Sequence, residues 1–186
     1  MCDTVQQDIR VTKTRKALTE TMLKLLQQKK FQKITVNDIC QEAMVSRSTF
    51  YLHFEDKYQL LQFCLQEERK SLRSIANSME PKEFLHTAIQ GIKDNQSMYY
   101  NLFQSNINEE LLQMFQQHFN SFFVEYLEKA QDKGAKLTAP IPMLATFYSS
   151  GVAGLILWWI ESGFQYSVED MASCHYQLLT DIISEK

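Results

Sequence analysis

The sequence predicts an all-α protein: a small N-terminal three-helix head followed by a larger helical domain, about nine helices in all. Three observations carry this. Only five Gly and three Pro interrupt 186 residues, so the turn and strand-boundary signals of β folds are scarce. Apolar residues recur at three- and four-residue intervals, the period of a half-buried helix. A content of 45% hydrophobic and 22% charged residues is that of a globular chain.

Taken in order, residues 1–12 are polar and read as a loose arm. From Lys13 to about Gln28, Ala17, Leu18, Met22, Leu25 and Leu26 mark an amphipathic first helix. The basic KKFQK stretch ends that pattern, and Phe31 and Ile34 read as a buried connection. Thr35 is a good N-cap, with Asp38 three residues on. The helix it opens carries Val36, Ile39, Cys40 and Ala43 on one face. After a break at residues 44–46, Ser46 caps a third helix, RSTFYLHF, with Phe50 and Phe54 inward. A long helix follows from Asp56 to near Asn77. Pro81 suits the first turn of a fifth, and further helices are expected at about 82–93, 95–105, 108–133, 140–162 and 168–184. The division is expected at residues 1–57 and 58–186.

The net charge of −3 hides an asymmetry: residues 1–57 carry ten Lys/Arg against seven Asp/Glu, and the remainder nine against fifteen. A basic head on an acidic body suits a nucleic-acid-binding module joined to a regulatory one. Four scattered cysteines without a C-x-x-C pair suit a reducing compartment. With Asp3 and Asp8 and no apolar run, the N-terminus does not read as a secretory signal; a cytoplasmic location is expected. Residues 141–160 lack charge over twenty positions, enough to span a bilayer. The run nevertheless holds Pro142, Thr146, Tyr148, Ser149, Ser150 and two Gly, and lacks flanking basic clusters. It is read as a buried or interfacial helix, and no membrane partner is expected.

Two short helices separated by three residues, the second opening at a Ser cap, form a helix-turn-helix pattern. The exposed side of the second offers Arg47, Ser48, Thr49, Tyr51 and His53, donors and acceptors suited to phosphates and base edges. Lys57 opens the next helix, where a cation and free backbone N–H groups can together hold a phosphate. A three-helix bundle with a polar surface is the plain alternative.

The runs F-x-x-I-T-V-x-D-I (Phe31–Ile39), A-M-V-S-R-S-T-F-Y-L-H-F (Ala43–Phe54) and E-D-K-Y-Q-L-L (Glu55–Leu61) closely resemble the TetR-family DNA-binding domain over about residues 10–62. The resemblance implies a head that binds double-stranded DNA at an inverted repeat, and a C-terminal domain that forms a homodimer and often takes a small effector. It implies phosphate contacts by Thr35, Tyr51, His53 and Lys57, with Arg47, Ser48 and Thr49 reading bases and Ser46 opening the recognition helix. Met44 departs from the family's usual Gly; if the turn needs positive φ, it carries about 1 kcal/mol of strain. The layout of the last helices is similar to regulators of the dihydroxyacetone-kinase activator subgroup.

In the second domain the helically spaced aromatics read first as core packing, and Tyr99, Phe103, Phe119, Phe123 and Phe147 as candidates for an effector-pocket wall, the two readings being compatible. The small side chains Ser150, Gly151 and Gly154, with Leu155 and Trp158, are read as a dimer face. A protein partner in place of a small effector is the second reading. No cofactor is expected, and His86, His118 and the Cys174–His175 pair lack metal-ligand spacing. Catalytic signatures such as G-x-S-x-G and H-E-x-x-H are missing from the sequence, so no enzyme activity is expected.

Overall fold

The computed structural model describes the backbone of residues 2–76, 78–103, 109–181 and 183–184, and the side chains of residues 10–76, 78–103 and 109–181. Among the described residues there are nine α-helices: α1 (Cys2–Gln28), α2 (Val36–Glu42), α3 (Arg47–Tyr51), α4 (Lys57–Ala76), α5 (Pro81–Asp94), α6 (Gln96–Phe103), α7 (Glu109–Asp132), α8 (Ile141–Glu161) and α9 (Val168–Thr180). A 3-10 turn at Phe31–Lys33 joins α1 to α2. Two-residue strands β1 (Lys136–Leu137) and β2 (Ile183–Ser184) pair antiparallel, Leu137 opposite Ile183.

Three expectations change. The polar arm expected over residues 1–12 is part of α1, which starts at Cys2. It contains neither Gly nor Pro, and a helix nucleated by the Leu18–Leu26 stripe extends at little cost. The recognition helix is shorter than the RSTFYLHF run, ending at Tyr51 with Leu52 as C-cap. The last helix stops at Thr180 rather than 184, its end taken up by the strand pair. Asn77 and residues 105 and 108, where helix ends are expected, lie outside the described residues.

The contacts group the chain into two units. The first holds the chain through Glu68 together with Ser97–Phe103; the second holds Arg69–Gln96 and the chain after residue 108. In the first, Leu18, Met22 and Leu26 of α1 are fully buried, as are Phe31, Ile34, Ile39 and Phe50. Phe31 and Ile34 are thus the buried connection that their isolation between polar residues suggests. α6 is tied to this unit by Asn101 Nδ2 donating to the Leu26 carbonyl at 2.9 Å and by Tyr99 Oη donating to Glu68 Oε1 at 3.0 Å.

In the second unit α7 packs along α8 and α5 along α9. The interlocked core includes Phe123, Leu127, Leu144, Ala145 and Leu179. Phe84 of α5 stacks on Phe122 of α7, centroids 5.1 Å apart and planes 15° from parallel. Trp159 is fully buried, its Nε1 donating to the Tyr166 carbonyl at 2.9 Å. α8 is long and apolar enough to cross a membrane by length and composition, and one side of it forms core.

Candidate nucleic-acid interface

The head is assembled by local hydrogen bonding that the sequence encodes. Thr35 caps α2 in a reciprocal box: its Oγ1 accepts from Asp38 N at 3.1 Å, while Asp38 Oδ2 accepts from Thr35 N at 2.8 Å. Thr35 Oγ1 also donates its hydrogen to Asp38 Oδ2 at 2.8 Å. Lys29 Nζ lies 2.9 Å from the same carboxylate. That lysine hydrogen bond, then those from Thr35, hold the Asp38 carboxyl down at about 2 against an ordinary 3.8.

α2 ends in a Schellman turn. Val45 N donates to Cys40 O at 3.0 Å and Met44 N to Gln41 O at 3.3 Å. This requires the left-handed conformation at the residue between, and Met44 adopts it with φ 53° while 93% exposed. Gly134 and Gly163 occupy the same place after α7 and α8, with φ 91° and 71°. The strain anticipated for a non-glycine residue in the turn is therefore present.

The turn delivers Ser46 to the start of α3, where its Oγ accepts from Thr49 N at 3.1 Å. It also lies 2.9 Å from Ser48 Oγ and 2.8 Å from Thr49 Oγ1, making a cluster of three hydroxyls at the helix tip. Arg47 and Ser48 are exposed beside it and Thr49 is half-buried. Phe50, fully buried, anchors the helix and meets Tyr51 edge-on at 5.5 Å. Tyr51 is left 50% exposed. His53 is half-buried, and burial, then the charge of Arg15, pushes its pKa down, so its ring is neutral near pH 7 and donates one hydrogen bond at most.

Lys57 differs from the expectation. Its ammonium was assigned to a phosphate, but Nζ donates to the carbonyls of Phe31 (2.8 Å), Ile34 (2.9 Å) and Gln32 (3.2 Å). It also lies 4.6 Å from the Phe31 ring centroid. An ammonium has three hydrogens, and all three are engaged. Lys57 closes the 3-10 turn onto the start of α4. Thr35 is similarly committed to its capping box. Asp56, where the sequence places the start of the long helix, caps α4: its Oδ1 accepts from Gln59 N at 2.8 Å.

Of the expected pocket residues, Phe119 and Phe123 line one cavity of about 80 Å³ in the second unit, with Phe84, Phe122, Arg69, His118 and His175 among the other walls. Tyr99 and Phe103 do not join them: both are buried in the first unit. Phe147 is 73% exposed on α8 and is not among the residues lining this cavity. Phe147 lies two positions from each of the buried Ala145 and Ser149, which puts it on the opposite side of α8 from them. A larger groove of about 450 Å³ shares Phe84, Leu85, Phe122 and Leu179 with the cavity, and Arg73, Lys129 and Lys133 stand at it. Of the expected dimer residues, Ser150, Gly151, Gly154 and Trp158 are exposed and Leu155 half-buried. Together with Met143 and Phe147 they form an exposed, largely apolar stripe along α8.

The fold and these sites define a helix-turn-helix head on a helical body. Residues 18–63 match the family model for bacterial regulatory proteins of the tetR family, and residues 79–181 match the one described as a transcriptional regulator C-terminal region. The chain belongs to the TetR family of transcriptional regulators. It is 26% identical over 181 residues to the uncharacterized HTH-type transcriptional regulator YxbF of Bacillus subtilis (strain 168). That match takes in 90% of this chain and 44% of the relative, so the chain spans less than half of the relative's length. A TetR transcriptional regulator from Streptococcus agalactiae 2603V superposes with TM-score 0.68 at 25% identity, over 95% of this chain and 98% of that one. The dihydroxyacetone kinase operon activator DhaS superposes with TM-score 0.64 at 20% identity, covering 91% of this chain and 96% of its own. At that identity the likeness to DhaS is one of fold.

Proposed function

We propose that this chain is a cytoplasmic, sequence-specific DNA-binding regulator of transcription, acting as a homodimer on an inverted-repeat operator and released from it by a small-molecule effector. The observation that carries the reading is the Ser46-capped α3, held by buried Phe50, with Arg47 and Ser48 exposed at its tip and Tyr51 on its flank. A short helix presented in this way enters the major groove and reads bases with its N-terminal side chains. Arg47 is assigned to a guanine edge and Tyr51 to a phosphate. The apolar stripe of α8 is assigned to the twofold interface, and residues 1–57 to the reading head. The apolar, aromatic-lined cavity favours a small effector over a protein partner, because a concave apolar pocket suits a small molecule. An effector acts by favouring an arrangement of the two heads that misses the half-sites.

The test is binding of variants to a panel of operator sequences. Arg47→Ala is expected to cost about 1–3 kcal/mol and to relax preference at one base pair. Tyr51→Phe is expected to weaken binding to all sequences alike. An Arg47→Ala variant with unaltered base preference contradicts the assignment.

A further inference from the structure

We propose that the cavity of the second unit takes a small neutral hydroxylic compound, a short alcohol or a phenol, whose O–H donates to Nε2 of His175. This rests on reading the second unit as the effector-binding body. His175 is only 3% exposed. Its Nδ1 lies 2.7 Å from the Met171 carbonyl, one turn back in α9. A carbonyl only accepts, so Nδ1 carries the hydrogen and Nε2 is left as a lone-pair acceptor on the edge of the ring away from its own helix. Among the described residues that buried nitrogen has no hydrogen-bond partner. A buried acceptor without a donor is costly, and His175 is one of the walls of the cavity.

The rest of the lining says what the donor is attached to. Phe84, Phe119, Phe122, Phe123 and Ile156 surround the space with hydrocarbon. Burial pushes the His175 pKa down, and burial together with the Arg69 charge holds His118 at about 4, so both rings are neutral near pH 7. Arg69 is the one permanent cation in the lining. A carboxylate placed here loses its hydration and meets the lone pair of His175, whereas a neutral hydroxyl satisfies that lone pair at small desolvation cost. Size sets the limit. A cavity of about 150 Å³ holds a benzene ring, and this one is about 80 Å³. It takes a three- or four-carbon alcohol as it stands. Phe84, Leu85, Phe122 and Leu179 line both the cavity and the adjoining groove, so a phenol ring fits only if these side chains give way towards the groove.

The test is calorimetric titration of the full chain with matched pairs: phenol against toluene, and 2-butanol against 2-butanone, which accepts hydrogen bonds but donates none. In at least one pair the donor-bearing member is expected to bind about tenfold more tightly. The alcohol pair alone showing it restricts the ligand to short chains; the phenol pair showing it extends the site into the groove. His175→Phe is expected to bring the two members within about twofold of each other, and His175→Gln, which keeps an acceptor, to retain the preference. A parent protein that binds neither pair, or does not discriminate, overturns the proposal. So does a preference that survives His175→Phe, or benzoate binding more tightly than phenol. Should His175→Phe fail to fold, the nitrogen resonance of His175 Nε2 in the parent decides: it moves with phenol and stays with toluene, or the proposal fails. Ligand-free DNA binding is measured separately, so its loss strikes the regulator reading alone.

Discussion

Met44 occupies a backbone position that the two comparable helix ends among the described residues give to glycine. All three ends, after α2, α7 and α8, carry the same pair of hydrogen bonds, but the intervening residue is Met44, Gly134 or Gly163. The Met44 side chain is 93% exposed and gains little packing to offset the strain. Met44→Gly is therefore expected to stabilise the head by about 1 kcal/mol in denaturant titrations, less a few tenths for the added freedom of the unfolded chain. At Lys57 the structure and the family resemblance part company, and the salt dependence of DNA binding tells them apart. With its three hydrogens on carbonyls, Lys57→Met is expected to cost about 1–3 kcal/mol of stability and to leave the slope of log affinity against log salt unchanged. A lysine on a phosphate would instead lower that slope by about 0.9 on removal. Asp38 supplies a pH dependence. Its folded pKa, about 2, lies below the ordinary 3.8, so its stabilising contribution is complete above pH 3.8 and is lost as the pH falls towards 2. Asp38→Asn is expected to flatten that part of the acid-denaturation curve.

At the scale of elements, α8 has two sides with different work. Leu144, Ala145, Ser149, Ala153, Ile156 and Trp159 form core, while Met143, Phe147, Gly151, Gly154 and Trp158 remain exposed. A Cβ placed on Gly151 or Gly154 meets no atom within 4 Å in the protomer. Gly151→Val is thus expected to cost the isolated protomer only the change in helix propensity, a few tenths of a kcal/mol in either direction. If α8 closes against its symmetry mate, the same substitution overfills the interface by about 1–3 kcal/mol and raises the dimer dissociation constant at least severalfold in sedimentation equilibrium. Equal dissociation constants for parent and variant would place the dimer face elsewhere.

For the whole molecule, most helices were legible because capping and periodicity speak locally. The Thr35–Asp38 box, the Ser46 cap and Pro81 at the start of α5 each announce an element from within four residues. Illegible were features that depend on what a side chain meets at a distance. Lys57 reaches carbonyls 23 to 26 positions earlier. Tyr99 and Phe103 look like their aromatic neighbours in sequence yet belong to the first unit, because α6 is tied to α1 and to Glu68. The orphaned Nε2 of His175 depends on a tautomer fixed by Met171 and a cavity built from five helices. The caps of α2 and α3, in contrast, rest on bonds spanning three residues, which is why both helix starts are legible in the sequence.

Whether this chain reads DNA as a twofold dimer through α3 is decided by recovering the genomic fragments that the purified protein binds at near-physiological salt. The expected result is an inverted repeat whose half-site centres lie about 34–36 Å apart, or a multiple of that spacing, with Arg47→Ala losing selectivity at one symmetric base pair. Recovery of fragments without a shared motif, bound with steep salt dependence and equally well by Arg47→Ala, would contradict it.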